Sequence, residues 1–133
     1  MSVQKELSVV LANEPGTLAS LCRELAQEKI NLLAAEASGG FHHNQLRLVP
    51  DKPDKAKKVL NRKGYYVGET EVVCVALAHE PGALADVATR LGKSNINIEY
   101  FYTAGETVNG KAFVVLHPSE PQKAAEILSD VAV

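Results

Sequence analysis

Residues 13–18 read Asn-Glu-Pro-Gly-Thr-Leu, and residues 79–84 read His-Glu-Pro-Gly-Ala-Leu. In each, Pro-Gly stands between a valine-rich run and a stretch with helical spacing. The first turn of a helix carries backbone amides that have no intrahelical acceptor. With glycine at that point, no side chain keeps another group away from the backbone. The helix dipole adds positive character, which favours a carboxylate there by about 0.3–1 kcal/mol, and by about 2 kcal/mol when partly buried. The amides of Gly16, Thr17 and Leu18, and those of Gly82, Ala83 and Leu84, are therefore candidates to hold an anion. Asn13, Asn31 and Asn97 offer side-chain carbonyls that accept from a cationic group such as an ammonium.

The same residues also have ordinary structural uses. Pro-Gly after a strand starts a helix cleanly with no ligand involved. Asn13 has the type of an N-cap. Asn31 and Asn97 have the type of left-handed residues that end helices. Glu14 and Glu80 complement a helix start, and His79 reads as a neutral hydrogen-bonding residue.

The elements that must position these groups occur twice. At an offset of 66, ten of the twenty-two residues from Leu11 to Leu32 are identical, among them Glu14/Glu80, Pro15/Pro81, Gly16/Gly82, Leu18/Leu84 and Asn31/Asn97. After a two-residue insertion the offset becomes 68. Pro53, Lys55, Ala56 and Leu60 then recur as Pro121, Lys123, Ala124 and Leu128. Such self-similarity marks duplicated structural units.

Each copy reads alike. Valine-rich runs at 6–12 and 71–78 are strands. Pro15 and Pro81 fall where a helix begins, since proline lacks an amide that is unpaired at the first helical position anyway. Leu18, Leu21, Cys22 and Leu25, and then Leu84, Val87, Ala88 and Leu91, keep helical spacing. A second strand follows from Asn31 or Asn97. Gly39-Gly40 and Asn109-Gly110 then turn the chain into a third; Asn-Gly between apolar runs is a strong hairpin signal. A second helix follows Pro53 or Pro121, and residues 65–69 close the first copy with a fourth strand. Strand, helix, strand, strand, helix, strand is the ferredoxin-like βαββαβ order. The fold class is therefore α+β: two ferredoxin-like repeats side by side, helices on one face of a continuous antiparallel sheet.

A net charge of −2, with 14 basic and 16 acidic residues, leaves no electrostatic footprint for nucleic acid. Ser8, Val10, Gln45 and Arg47 stand where an RNA-binding version of the fold carries stacking aromatics. No apolar run is long enough for a membrane span, and the start of the sequence has no basic segment followed by a long apolar one. Cys22 and Cys74 form no CxxC pair and read as packed thiols. His42-His43 reads as a solvated turn, and residues 51–58 as the solvated face of a helix. No catalytic grouping, phosphate loop, metal site or cofactor is indicated. A cytoplasmic protein is the expectation.

A strand ending in Asn-Glu-Pro-Gly-x-Leu, a helix, and then Ile-Asn-Leu or Ile-Asn-Ile resembles the ACT domain, a small-molecule sensing module, in two copies spanning nearly the whole chain. The resemblance is to free-standing tandem ACT proteins, with repeats at 1–69 and 70–133. It implies a non-enzymatic regulatory role and an amino acid bound where two ACT domains meet. It also implies a homo-oligomer such as a homodimer, and a regulated biosynthetic enzyme as a possible partner. Asn13 and Asn31 match the two asparagines that hold an amino acid's polar groups in such domains, and Asn97 matches in the second copy. His79 replaces the first asparagine there. One site would combine Asn13 with Asn97 and the other His79 with Asn31, so the two are not equivalent. Leu11 and Leu77 stand where some family members carry a polar residue. The alternative is a regulatory or adaptor subunit that acts through protein contacts with little or no ligand binding.

The second copy stops where its fourth strand should start, because Tyr65 corresponds to Val133. It therefore lacks most of that strand, and an open edge along residues 71–78 is expected. Cys74, Ala76, Phe113 and Val115 alternate opposite to the core residues of that sheet. An apolar face of this kind is expected to be a self-association surface.

Overall fold

The computed structural model describes residues 3–106 and 109–133. Among them are six strands and four helices: β1 (Val3–Ala12), α1 (Thr17–Gln27), β2 (Leu32–Gly39), β3 (His43–Pro50), α2 (Pro53–Arg62), β4 (Val67–Leu77), α3 (Ala83–Lys93), β5 (Ile98–Glu106), β6 (Ala112–Pro118) and α4 (Pro121–Ile127). Two compact units result. Lys5–Thr70 form the first; Glu71–Val133, with residues 3–4, form the second. The strand order is β2–β3–β1–β4 in the first unit and β4–β6–β5 in the second. Paired strands run antiparallel in both, and each unit is a ferredoxin-like repeat.

The first core follows from strand alternation meeting helical periodicity. Leu7, Val9 and Leu11 of β1 and Leu46 and Leu48 of β3 bury against Leu21 and Leu25 of α1 and Ala56, Val59 and Leu60 of α2. The second uses the matching set: Val73, Val75, Leu77, Val114 and Leu116 against Val87, Leu91, Ala124 and Leu128. Each fully buried leucine contributes roughly 1.5–3 kcal/mol. Ser8 and Arg47, one residue out of phase in β1 and β3, lie opposite each other in register.

Three local expectations are corrected. The Pro-Gly pair does not lie inside the helix. The Thr17 amide donates to the Glu14 carbonyl at 3.4 Å, and Gly16 has φ 89° and ψ −15°. With Pro15 at the second position, Glu14–Thr17 is a type II turn. Its glycine is the N-cap, and the proline stays outside the helix. Gly82, at φ 92° and ψ −14°, repeats the arrangement. Neither Asn13 nor His79 is therefore the cap.

The residues in left-handed conformation after α1 and α3 are Lys29 and Asn95, both at φ 58°, rather than Asn31 and Asn97. The Ile30 amide reaches back to Leu25 and the Lys29 amide to Ala26, as Ile96 does to Leu91 and Asn95 to Gly92. Both helices close in Schellman motifs.

The charged segment 51–58 does more than face solvent. Lys52 and Lys55 donate through Nζ to the carbonyls of Lys29 and Glu28, each at 3.0 Å. Cations there complement the negative end of α1, which has no basic residue in its own last turn.

The second unit also departs from expectation. The edge of β4 is paired: the Ala76 amide donates to Val131 and the Val133 amide to Cys74, both at 2.9 Å, around a bridge between Val75 and Ala132. The missing fourth strand is reduced to that bridge. The face opposite the helices is not open to solvent at its centre either. Cys74 and Val115 are fully buried, in a register row with Tyr102, which is also buried. The alternation placed these side chains on the face away from the helices, where a self-association surface was expected; at its centre Cys74 and Val115 are already covered within the chain.

Candidate functional site

The β1–α1 and β4–α3 turns place the candidate amides. In the first unit the Thr17 amide is held by Glu14, and the Ser20 amide donates to the Gly16 carbonyl at 3.0 Å. In the second, the Ala83 amide is held by Glu80 at 3.4 Å and that of Asp86 by Gly82 at 2.9 Å. Leu18 and Ala19, and likewise Leu84 and Ala85, lie too near their helix starts for an intrahelical acceptor, and no protein acceptor takes their amides among the described residues. Among the described residues the amides of Gly16 and Gly82 likewise have no protein acceptor, so the free donors differ from the suggested set by one residue in each turn. Ala19 and Ala85 join the set, while Thr17 and Ala83 are already engaged.

Glycine at 16 and 82 answers a backbone demand. A Cβ built on either meets nothing within 4 Å, so only the positive φ calls for glycine. The Thr17 hydroxyl donates to the Ala12 carbonyl at 2.8 Å, tying the turn to the end of β1. Beside it lies an open depression of about 480 Å³ walled by Val10, Ala12, Pro15, Gly16, Ser20 and Tyr65. Ser20 and Tyr65, two hydroxyl-bearing residues, are part of that lining. Tyr65 lies far along the chain from Gly16, and local spacing gave no sign of it.

Asn13 is exposed and engaged. Its backbone amide donates to His42 at 2.8 Å. Its Oδ1 accepts from Asn44 Nδ2 at 3.1 Å, and its own Nδ2 lies 3.4 Å from the carbonyl oxygens of Gly40 and Phe41. The side chain fastens the end of β1 to the β2–β3 hairpin, whose tip carries the exposed Phe41 stacked edge-on with His42 at 4.8 Å. His79, its counterpart, is also exposed.

Asn31 and Asn97 occupy the other end of their units. The Asn31 amide donates to Asp51 Oδ1 at 3.0 Å while its carbonyl accepts from the Asp51 amide at 2.9 Å. Asn97 does the same with Ser119, at 3.0 and 2.8 Å. Within one repeat, Asn13 and Asn31 are separated by the run of β1 from Leu7 to Ala12, roughly 17 Å at 3.3 Å per residue. Neither repeat alone gathers Asn13, Gly16, Thr17, Leu18 and Asn31, or His79, Gly82, Ala83, Leu84 and Asn97, into one cluster.

Among the described residues, no group of three or more His, Cys, Asp or Glu is placed to hold a metal ion. Cys22 and Cys74 form no disulfide with each other. No helix among the described residues is long and apolar enough to cross a membrane.

Residues 1–132 match the family described as ACT domain pair. The protein BT0572 from Bacteroides thetaiotaomicron is similar in fold at a TM-score of 0.90 and 35% identity, over 99% of this chain and 92% of that one. The ligand-free regulatory subunit of aspartate kinase from Thermus thermophilus has a similar fold at a TM-score of 0.71 and 15% identity, covering 98% of this chain and 97% of that one. The corresponding subunit from Thermus flavus gives 0.59 and 18%, over 98% and 96%. No functionally curated protein matches by sequence. The matched family spans both repeats with the Pro-Gly turns that open α1 and α3, and the chain belongs to the family of ACT domain pairs.

Proposed function

We propose that the chain is a cytoplasmic, non-enzymatic regulatory protein that senses a small metabolite, an amino acid, held where ACT repeats meet. The observation that carries this reading is the pair of helix starts with unsatisfied amides, at Leu18 and Ala19 and at Leu84 and Ala85. Each follows a glycine with open space around it. A carboxylate at such a point gains charge-assisted hydrogen bonds and the favourable end of a helix dipole. The ammonium goes to asparagine carbonyls. Following the family resemblance, Asn13 acts with Asn97 in one site and His79 with Asn31 in the other, and the two sites differ in strength.

Proteins of this fold include regulatory subunits of aspartate kinase. We extend to this chain the coarse role, control of a separate enzyme, without the enzyme's identity. The ligand acts as a switch by favouring one of two arrangements of the protein or its complex.

A thermal-shift screen of the twenty protein amino acids, followed by calorimetry, tests the reading. A ligand at a hundred times its dissociation constant adds about 2.7 kcal/mol to stability. Asn97→Ala is expected to weaken binding more than Ser94→Ala. Absence of any shift would favour the second reading, a subunit that works by protein contact. Phe41 and Tyr66, 89% and 91% exposed, are the observation that supports that alternative.

A further inference from the structure

Asn44 decides which end of the Asn13 carboxamide a ligand meets. It stands in β3 opposite Leu11 of β1 on one side and Gly39 of β2 on the other. Its Nδ2 donates to Asn13 Oδ1 at 3.1 Å, and Asn13 Nδ2 lies 3.4 Å from the carbonyl oxygens of both Gly40 and Phe41. That orientation is fixed by chemistry, because carbonyl oxygens only accept. Turning the Asn13 amide over would set Oδ1 against two carbonyls and Nδ2 against the donor of Asn44. An amide oxygen has two lone pairs, and Asn44 takes one. Asn13 is left with one acceptor position to offer, while its Nδ2 is turned toward the hairpin carbonyls.

Two further features belong to this device. A Cβ on Gly39 would fall 2.0 Å from Asn44 Oδ1, so the glycine makes the space that the Asn44 side chain occupies. In the second repeat the residue opposite Leu77 is Ala112, and Asn13 is replaced by His79. Both members of the pair change together, so the first repeat alone carries the lock.

We propose that Asn44 is a positioning residue that holds Asn13 as an acceptor, so that the start of α1 selects ligands carrying an ammonium and rejects those presenting an acceptor at that point. This rests on the reading that an amino acid binds there.

The test is calorimetry on the full chain, using the twenty protein amino acids as probes. Each one that binds is compared with the matching carboxylate in which hydrogen replaces the ammonium, such as propionate for alanine or 3-hydroxypropionate for serine. The wild type is expected to prefer the amino acid by at least about tenfold, the scale of one well-placed charge-assisted hydrogen bond. Asn44→Ala should reduce that preference about tenfold by weakening the amino acid and leaving the plain carboxylate unchanged. Ala112 holds the matching position in the equivalent strand of the second repeat, β6. Asn44→Ser, whose hydroxyl keeps a donor, is the second variant and should give an intermediate preference. Equal weakening of amino acid and carboxylate would overturn the positioning role while leaving amino-acid binding intact. Wild-type protein that binds none of the probes would overturn the binding reading and this inference with it.

Discussion

Ala76 and Val131 are joined by a backbone hydrogen bond of 2.9 Å, and Val133 returns one to Cys74. Gln4 Nε2 adds a third, to the Val133 carbonyl, at 3.0 Å. Three residues thus do for β4 what a full strand would do. Deleting residues 131–133 removes both backbone bonds to β4, each contributing about 1 kcal/mol net, and uncovers an edge that can recruit another chain. A loss of about 2 kcal/mol in urea denaturation is expected, together with concentration-dependent association in sedimentation velocity. Unchanged stability in a monodisperse truncation would show that these residues do not seal the edge.

Val115→Glu separates a buried face from an association surface. Val115 lies between Cys74 and Tyr102 in register and is fully buried. A carboxylate there must lose its hydration or take up a proton, with its pKa driven upward. Uncompensated burial costs roughly 3–5 kcal/mol. The variant is expected to unfold at much lower urea and to recover partly in acid, where the side chain is neutral. Retained stability with a smaller sedimenting species would instead mark the face as an interface between copies.

The two Pro-Gly turns predict a graded series. At φ 89° and 92°, an alanine costs about 1–2 kcal/mol of backbone strain, and asparagine less because it tolerates that region. No neighbour crowds a Cβ at either place, so Gly16→Asn and Gly82→Asn should fall between wild type and the alanine variants in chemical denaturation. Alanine variants as stable as wild type would show that the turn relaxes to negative φ.

The repeat made most of the fold legible. Leu11/Leu77 and Leu25/Leu91 share one core role in each copy because the same periodicity was written twice. What could not be read were relations fixed by register or by a few residues. Three residues at 131–133 carry no alternation, so their pairing with β4 left no pattern. The alternation at Cys74 and Val115 reports a face and not what covers it. Gly16 was read as helical because the turn and the helix start use the same residues, and only φ tells them apart. Asn44 meets Asn13 through the register of β3 on β1, which no spacing along the chain encodes. The asparagines at 31 and 97 are a repeated pair in the sequence, and their backbones make the same exchange with Asp51 and Ser119.

Acid should weaken both units, each through one carboxylate. Asp54 lies 2.8 Å from Lys5 Nζ, and the hydrogen bond and charge of Lys5 hold its carboxyl below the ordinary 3.8. Asp130 is held down by its hydrogen bond to Arg90, 2.6 Å away; Arg90 also donates to the Ile127 carbonyl at the end of α4. A carboxyl lowered in the folded state contributes stability that is fully present above its unfolded pKa and is lost as pH falls through the folded value. Lys5 is raised by the hydrogen bond and charge of Asp54 and by the charge of Glu69. Its contribution is whole below the ordinary lysine value of 10.5 and is lost as pH rises through the folded one. Stability linked to the Lys5–Asp54 pair is therefore flat between those limits and falls at both ends, whereas Asp130 produces only an acid limb. These groups are exposed, so salt should flatten both limbs. Urea midpoints measured against pH at about 0.01 M and about 1 M salt, for wild type, Asp54→Asn and Asp130→Asn, give the check. Each variant should lose part of the acid limb, and only Asp54→Asn should also lose the alkaline one; identical pH profiles for all three proteins would show that neither pair is coupled to folding.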